Sequence, residues 1–133
     1  MKFKHAFFAI VFVLFWHGVL HLTDGYYYLN QIDVPMHLMG GFAMGILGLA
    51  IHHQVSTKHH NKTSPWWYHF AFVVGFAMMV GVAWEFYEFM KDQTIHVWFN
   101  LPPSQPSLAN TMKDLLNDWI GAMAAFWMFR KKI

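Results

Sequence analysis

Apolar stretches alternate with short polar ones along the whole chain, and charge gathers where one gives way to the other. Ala6 to Leu22 is uncharged and interrupted only by His17 and His21. Val34 to Ile51 is the next apolar run, and Trp66 to about Met90 the third, opened by Pro65 and an aromatic belt of Trp66, Trp67 and Tyr68. Trp119 to Phe129 is too short to span a bilayer, so a fourth helix must begin near Met112 and carry Asp114 and Asp118 inside it. The pattern predicts an all-α, four-helix transmembrane bundle forming one integral membrane domain, with spans at about 6–22, 34–51, 66–90 and 112–129.

The polar stretches between them read as connections. Thr23 to Gln31, with Gly25 and the triplet Tyr26-Tyr27-Tyr28, predicts a short interfacial turn. His52 to Ser64 predicts a polar loop. Lys91 to Asn110, with Pro102, Pro103 and Pro106, predicts a second loop whose Trp98 and Phe99 rest on the membrane surface, placed where a lid would be. The basic start followed by Ala6–Leu22 imitates a secretory signal. No small-x-small cleavage site follows the apolar core, so this segment is expected to stay as the first helix.

Composition agrees with the pattern: 56% hydrophobic against 12% charged residues is too apolar for a soluble domain of 133 residues. With four spans, Lys2, Lys4, Lys58, Lys62, Arg130, Lys131 and Lys132 fall on one side and only Lys91 and Lys113 on the other. Both termini are therefore expected to be cytoplasmic. The basic residues sit at segment ends and form no basic patch, which argues against nucleic acid as a partner and leaves membrane lipid. The absence of cysteine excludes disulfides, thiolate metal sites and a cysteine nucleophile.

The acids behave opposite to the lysines. Asp24, Asp33, Glu85, Glu88, Asp92, Asp114 and Asp118 all lie at the outer ends of their segments. Asp33 and His37 are one turn apart, as are Asp114 and Asp118, His17 and His21, while Glu85 and Glu88 are three apart, so each pair shares a helix face. Beneath them run stripes of small residues: Gly41, Gly45 and Gly48 under His37, Gly81 and Ala77 under Glu85, and Gly121, Ala122 and Ala125 under Asp118. Such stripes mark close helix packing in membranes. Under His17 and His21 lie Leu14 and Ile10 instead, so the first helix has no such seam.

Meeting seams would collect Asp33, Glu85, Glu88, Asp114 and Asp118 in one interior. Bound divalent cations, protons, or Lys91 and Lys113 reaching in from the rim must then neutralise them. Carboxylates with imidazoles on facing helices suit a divalent metal ion, with Asp33, His37, Glu85, Glu88, Asp114, Asp118, His17 and His21 as candidate ligands. The competing readings are a structural network, in which Asp33 and Asp114 cap helix starts and histidines hydrogen-bond across helices, and a proton or ion pathway. His52, His53, His59 and His60 read as part of a solvated loop, His69 as an interfacial residue, and Asn61-Lys62-Thr63 as a glycosylation sequon on the wrong side to be used.

The order Asp-x-x-x-His (Asp33, His37), Trp-Glu-x-x-Glu (Glu85, Glu88) and Asp-x-x-x-Asp-x-x-Gly-Ala (Asp114, Asp118, Gly121, Ala122) resembles the YjdF and VanZ-like group of small bacterial membrane proteins. The resemblance implies a multi-pass protein of the bacterial cytoplasmic membrane, with some VanZ-like relatives linked to glycopeptide-antibiotic tolerance. The residues lead to an expected metal-dependent, hydrolase-like enzyme acting on an envelope lipid or precursor, with Glu85 or Glu88 as catalytic base. The alternative is a non-enzymatic conduit or structural subunit.

Overall fold

The structure is a computed structural model that describes residues 2–29, 31–58 and 64–132. His59, His60 and the Asn61-Lys62-Thr63 sequon lie outside them. All regular elements among the described residues are helical: α1 (Phe3–Leu22), a one-turn α2 (Gly25–Tyr28), α3 (Asp33–Lys58), α4 (Trp66–Lys91), a π-helical turn (Asp92–His96), α5 (Val97–Phe99), α6 (Leu108–Phe129) and a closing 3-10 turn (Arg130–Lys132).

Among the described residues, three stretches are long and apolar enough to cross a membrane: Phe3–Leu22, Asp33–Ser56 and Trp66–Phe99. The fourth expected span is less simple. α6 has 22 residues, about 33 Å of helix, but its first half carries Lys113, Asp114, Asn117 and Asp118.

Boundaries differ from the sequence reading in three places. α3 continues past Ile51 to Lys58, so His52 and His53 are helical rather than part of a loop. The third helix does not stop near Met90. It runs through the π-helical turn to Phe99 and ends at Asn100, whose φ of 52° is the left-handed conformation that closes helices, with Leu101 N–H donating back to His96 O at 2.9 Å. Lys91 and Asp92 do not end the helix, which leaves only residues 100–107 as loop between it and α6. Finally, α6 starts at Leu108 because Ser107 is its N-cap, accepting from Asn110 N–H at 3.1 Å. Asp114 is therefore no cap; it lies almost two turns inside the helix.

The small-residue stripes of α3 and α6 meet. A Cβ on Gly41 would collide with the backbone of Asp118, and one on Gly121 with the backbone of Leu38 and Phe42. These two glycines let the helix axes approach backbone to backbone, the kind of contact that replaces hydrophobic driving force inside lipid. α4 joins on the other flank, packing Val74 and Ala77 against Ala122, and Val73 against Leu49 and Phe126. α1 is peripheral: Ala6 is buried against Ile46 and Ala125, whereas Phe7, Phe8, Phe12, Phe15 and Trp16 are exposed. In a membrane that face meets lipid.

Candidate functional site

At the end of the bundle where α3 and α4 carry their acids, His37 is the hub. Helical spacing puts it one turn above Gly41, so the close α3–α6 approach brings Asp118 directly against the imidazole. Asp118 Oδ2 lies 3.3 Å from His37 Nδ1, and as a carboxylate it can only accept, so the ring proton is on Nδ1. Gly81 provides the room on α4: a Cβ there would come within 2.7 Å of the same Asp118 oxygen.

The other ring nitrogen faces the remaining acids. His37 Nε2 is 3.5 Å from Asp33 Oδ1 and 4.0 Å from Glu85 Oε1. Both separations exceed a good hydrogen bond. One ligand atom from each of Asp33, His37 and Asp114 falls within 4.8 Å of the others, and the same holds for His37, Glu85 and Glu88. The two groupings share His37.

Neighbouring side chains hold these acids by one oxygen and leave the other. Gln105 donates Nε2–H to Glu85 Oε2 at 2.6 Å and to the Glu85 carbonyl at 2.9 Å; Glu85 Oε1 is buried with no hydrogen-bond donor. Asn110 donates to Asp114 Oδ2 at 2.5 Å, while Asp114 Oδ1 has no donor in hydrogen-bond geometry, only the Lys113 ammonium at 3.5 Å. Trp84 Nε1–H donates to Glu88 Oε1 at 3.2 Å. Asp114 is fully buried and Glu85 95% so, which makes two carboxylate oxygens without a hydrogen-bond donor costly unless a proton or a cation accompanies them.

Of the two lysines expected at the rim, Lys113 reaches in, 3.8 Å from Asp33 Oδ2 and bonded to Asn110 Oδ1 at 3.0 Å. Lys91 does not pair with an acid. It is buried, and its ammonium sits 5.6 Å from the centroid of the Tyr87 ring.

His17 and His21 stand apart from both carboxylate groupings. Their rings pack edge to face, His17 also packs on Trp84, and His17 Nδ1 is 2.7 Å from the Tyr26 hydroxyl. Burial, then Asp33 and Glu88, raise the Tyr26 hydroxyl above its ordinary pKa, so it stays protonated and can donate to His17. The two histidines meet the acid site across cavities instead. An apolar cavity of about 250 Å³ between α1, α3 and α4 is lined by Ile10, Leu14, Met36, Met44 and Val80 and reaches His37 and Asp118 at its polar end. A second, polar cavity of about 550 Å³ opens towards α2 and the 100–107 loop. His17, Tyr26, Asp33 and Glu88 line both.

Sequence reasoning missed Gln105, Asn110 and Asp92. Asp92 takes the backbone N–H groups of Ser104 and Gln105, both at 2.8 Å, and so fixes the loop that delivers Gln105 to Glu85. Asn110 was visible as the residue one turn before Asp114; nothing in the pattern marked Gln105 or its partner, 20 residues away.

The sequence family described as "Predicted membrane protein (DUF2238)" matches residues 3–132. The chain belongs to this family. DUF2238 membership makes it a membrane protein over essentially its whole length, in keeping with the helices above. The YjdF part of the motif resemblance is DUF2238 itself, and the match carries no link to the VanZ-like proteins. No curated protein and no solved structure matches the chain.

Proposed function

We propose that His37, with Asp33 and Asp114 on one side and Glu85 and Glu88 on the other, holds a divalent cation, and that the protein is a metal-dependent, hydrolase-like enzyme acting on an envelope lipid or lipid-linked precursor. One observation carries this reading. When His37 is neutral with its proton on Nδ1, it turns the Nε2 lone pair towards Asp33 Oδ1 and the donorless Glu85 Oε1. Three electron-rich atoms converging on one point need a proton or a cation between them, and a divalent ion would take all three as ligands. Asp118 then plays the part of the carboxylate that orients a ligating histidine, a contact that also raises the basicity of the ligand.

A divalent ion in that place would polarise a phosphoryl or carbonyl oxygen. Glu88, which lines both cavities and is held through Oε1 only, is better placed than Glu85 to take a proton from an incoming group. Elemental analysis of protein purified without chelator tests the metal: the expected result is bound divalent ion in the wild type and its loss in Glu85→Gln. Metal-free wild type that ignores added divalent ions sinks the enzyme reading.

A second reading has its own support. If His37 is protonated it serves Asp33, Glu85 and Asp118 at once, and Lys113 serves Asp33 and Asp114, so the cluster would be a structural network. An ion pathway is less well supported, because Ala43, Ile46, Val74, Ala77, Ala122 and Phe126 form an apolar interior between the site and the buried His52 at the far end.

The same proposal includes four spans in a bacterial inner membrane with both termini cytoplasmic. Asp114, Asn117 and Asp118 of α6 are buried, while Leu108, Met112, Leu116, Trp119, Ile120, Trp127 and Met128 are exposed, a distribution suited to lipid outside and polar groups inside. Seven of the nine basic residues fall on the side of the termini in that arrangement. Reporter fusions after Lys58 and after Ser104 test it. The first is expected inside and the second outside, and the reverse would put the acids on the cytoplasmic face.

A further inference from the structure

Lys91 poses a problem that the metal reading does not solve. It lies within the Trp66–Phe99 candidate span, is 92% buried, and makes no ion pair or hydrogen bond with any described residue. A buried ammonium of this kind is costly unless an anion accompanies it. The acids offer none at pairing distance, yet Lys91 lines the polar cavity, and the Lys113 ammonium lines it too. Among the described residues these are the two lysines that line this cavity. The adjoining cavity is of the opposite character, walled by Ile10, Leu14, Met36, Met44 and Val80 and with few polar atoms. The shared wall of His17, Tyr26, Asp33 and Glu88 sits beside the candidate cation site. The polar chamber is lined by Asp24, Asp33 and Glu88 as well as by the two lysines, so an anion is accommodated there chiefly against Lys91, which has no acid at pairing distance; joined to the apolar cavity, that seat fits an amphiphile with an anionic head and a hydrocarbon chain.

We propose that the two cavities together bind a lipid monophosphate, the phosphate between Lys91 and Lys113 and the hydrocarbon chain between α1, α3 and α4. Phosphate suits the chamber better than a carboxylate. A monoester carries close to two negative charges at neutral pH and three exposed oxygens, enough to meet two separate ammonium groups and still present an oxygen to the acid end. The inference deepens the proposed function by naming its substrate class, but binding through Lys91 does not require the metal.

Dodecyl phosphate, dodecanol and inorganic phosphate, each titrated into the full chain in neutral maltoside micelles, separate head from chain. Dodecyl phosphate is expected to bind at least about tenfold more tightly than either of the others. Lys91→Gln should lose about tenfold or more of that affinity, the range for a charge-assisted hydrogen bond, and Lys91→Arg should keep most of it. Equal binding of dodecanol, or a phosphate margin that survives Lys91→Gln, overturns the proposal. Inorganic phosphate binding as tightly as dodecyl phosphate overturns the lipid as its source. Should Lys91→Gln not accumulate, Val80→Phe carries the test from the other side: by filling the apolar cavity it should bring dodecyl phosphate down towards inorganic phosphate, and unchanged affinity counts against the chain site. Metal analysis of the same samples keeps the two claims distinct. Lys91-dependent binding in metal-free protein sustains this inference while removing the metal; bound metal without a Lys91-dependent margin does the reverse.

Discussion

The bundle buries histidine at both ends, and the two ends treat it in opposite ways. At the far end, Ser56 on α3 donates to His52 Nδ1 at 3.3 Å, His52 Nε2–H donates to His69 Nδ1 at 3.0 Å, and His69 Nε2–H donates to the Ser64 carbonyl at 2.9 Å. The Ser64 carbonyl only accepts, which fixes the His69 proton on Nε2 and, in turn, every other proton in the chain. Each donor there has an acceptor and no carboxylate intrudes. At the acid end one imidazole confronts three carboxylates and leaves two buried oxygens without a donor. A buried histidine cluster is therefore no sign of a site; unfinished hydrogen bonding around it is.

The sharpest way to break this contrast is to remove the hub. His37→Leu should destabilise the protein by about 3–5 kcal/mol, because Asp118 and Glu85 lose their shared partner while staying buried and the half-buried Asp33 loses it too. Chemical denaturation in micelles reads it, and a change below about 1 kcal/mol would show that the acids do not depend on the imidazole.

Packing offers the next test. Gly41→Val forces side-chain atoms into the Asp118 backbone and should cost about 3 kcal/mol or more, whereas Gly48→Ala, near the far end, meets Phe76 and Val73 only at 3.3–3.4 Å and should cost less than about 1 kcal/mol. Comparable losses from the two would mean that α3 lies no closer to α6 beside the site than to α4 near the far end.

Smaller effects sharpen the far end and the loop. His52→Phe removes the donor to His69 and the acceptor for Ser56, so about 1–3 kcal/mol is expected; the His52→Phe, His69→Phe double variant should cost less than the sum of the singles, since it leaves no orphan within the pair. Strict additivity would deny the bond. Gln105→Ala, which cuts two hydrogen bonds to Glu85, should cost about 1 kcal/mol and show chiefly as faster amide exchange at Ser104 and Gln105. Unaltered exchange would mean that Asp92 alone holds the loop.

Much of this was legible in the sequence because membrane helices bury by spacing. Gly41, Gly45, Gly121, Ala122 and Ala125 announce which faces of α3 and α6 meet, and the acids and His37 ride on those same faces. Periodicity says nothing of where a helix stops once it reaches the interface, so the continuation from Asp92 to Phe99 was invisible, as was the capture of the 100–107 loop by Asp92. The lack of a glycine seam beneath His17 was informative in a way that only the fold explains: Leu14 and Ile10 wall a cavity there instead of a helix contact. The division of labour around His37 also depends on angles. Spacing could not tell that Asp118 would take Nδ1 while Asp33 and Glu85 face Nε2.

The central claim is that a divalent cation completes the His37 cluster, and melting curves with and without chelator test it most directly in the wild type, Glu85→Gln and Asp114→Asn. Both substitutions keep size and remove an anionic oxygen that has no donor. A bound ion stabilises by about 2.7 kcal/mol at one hundred times its dissociation constant, so chelator should lower the melting temperature of the wild type, and the two variants should melt lower and ignore it. Variants that melt at or above the wild type, with a wild type indifferent to chelator, would contradict the claim and leave the acids as a structural network relieved of repulsion.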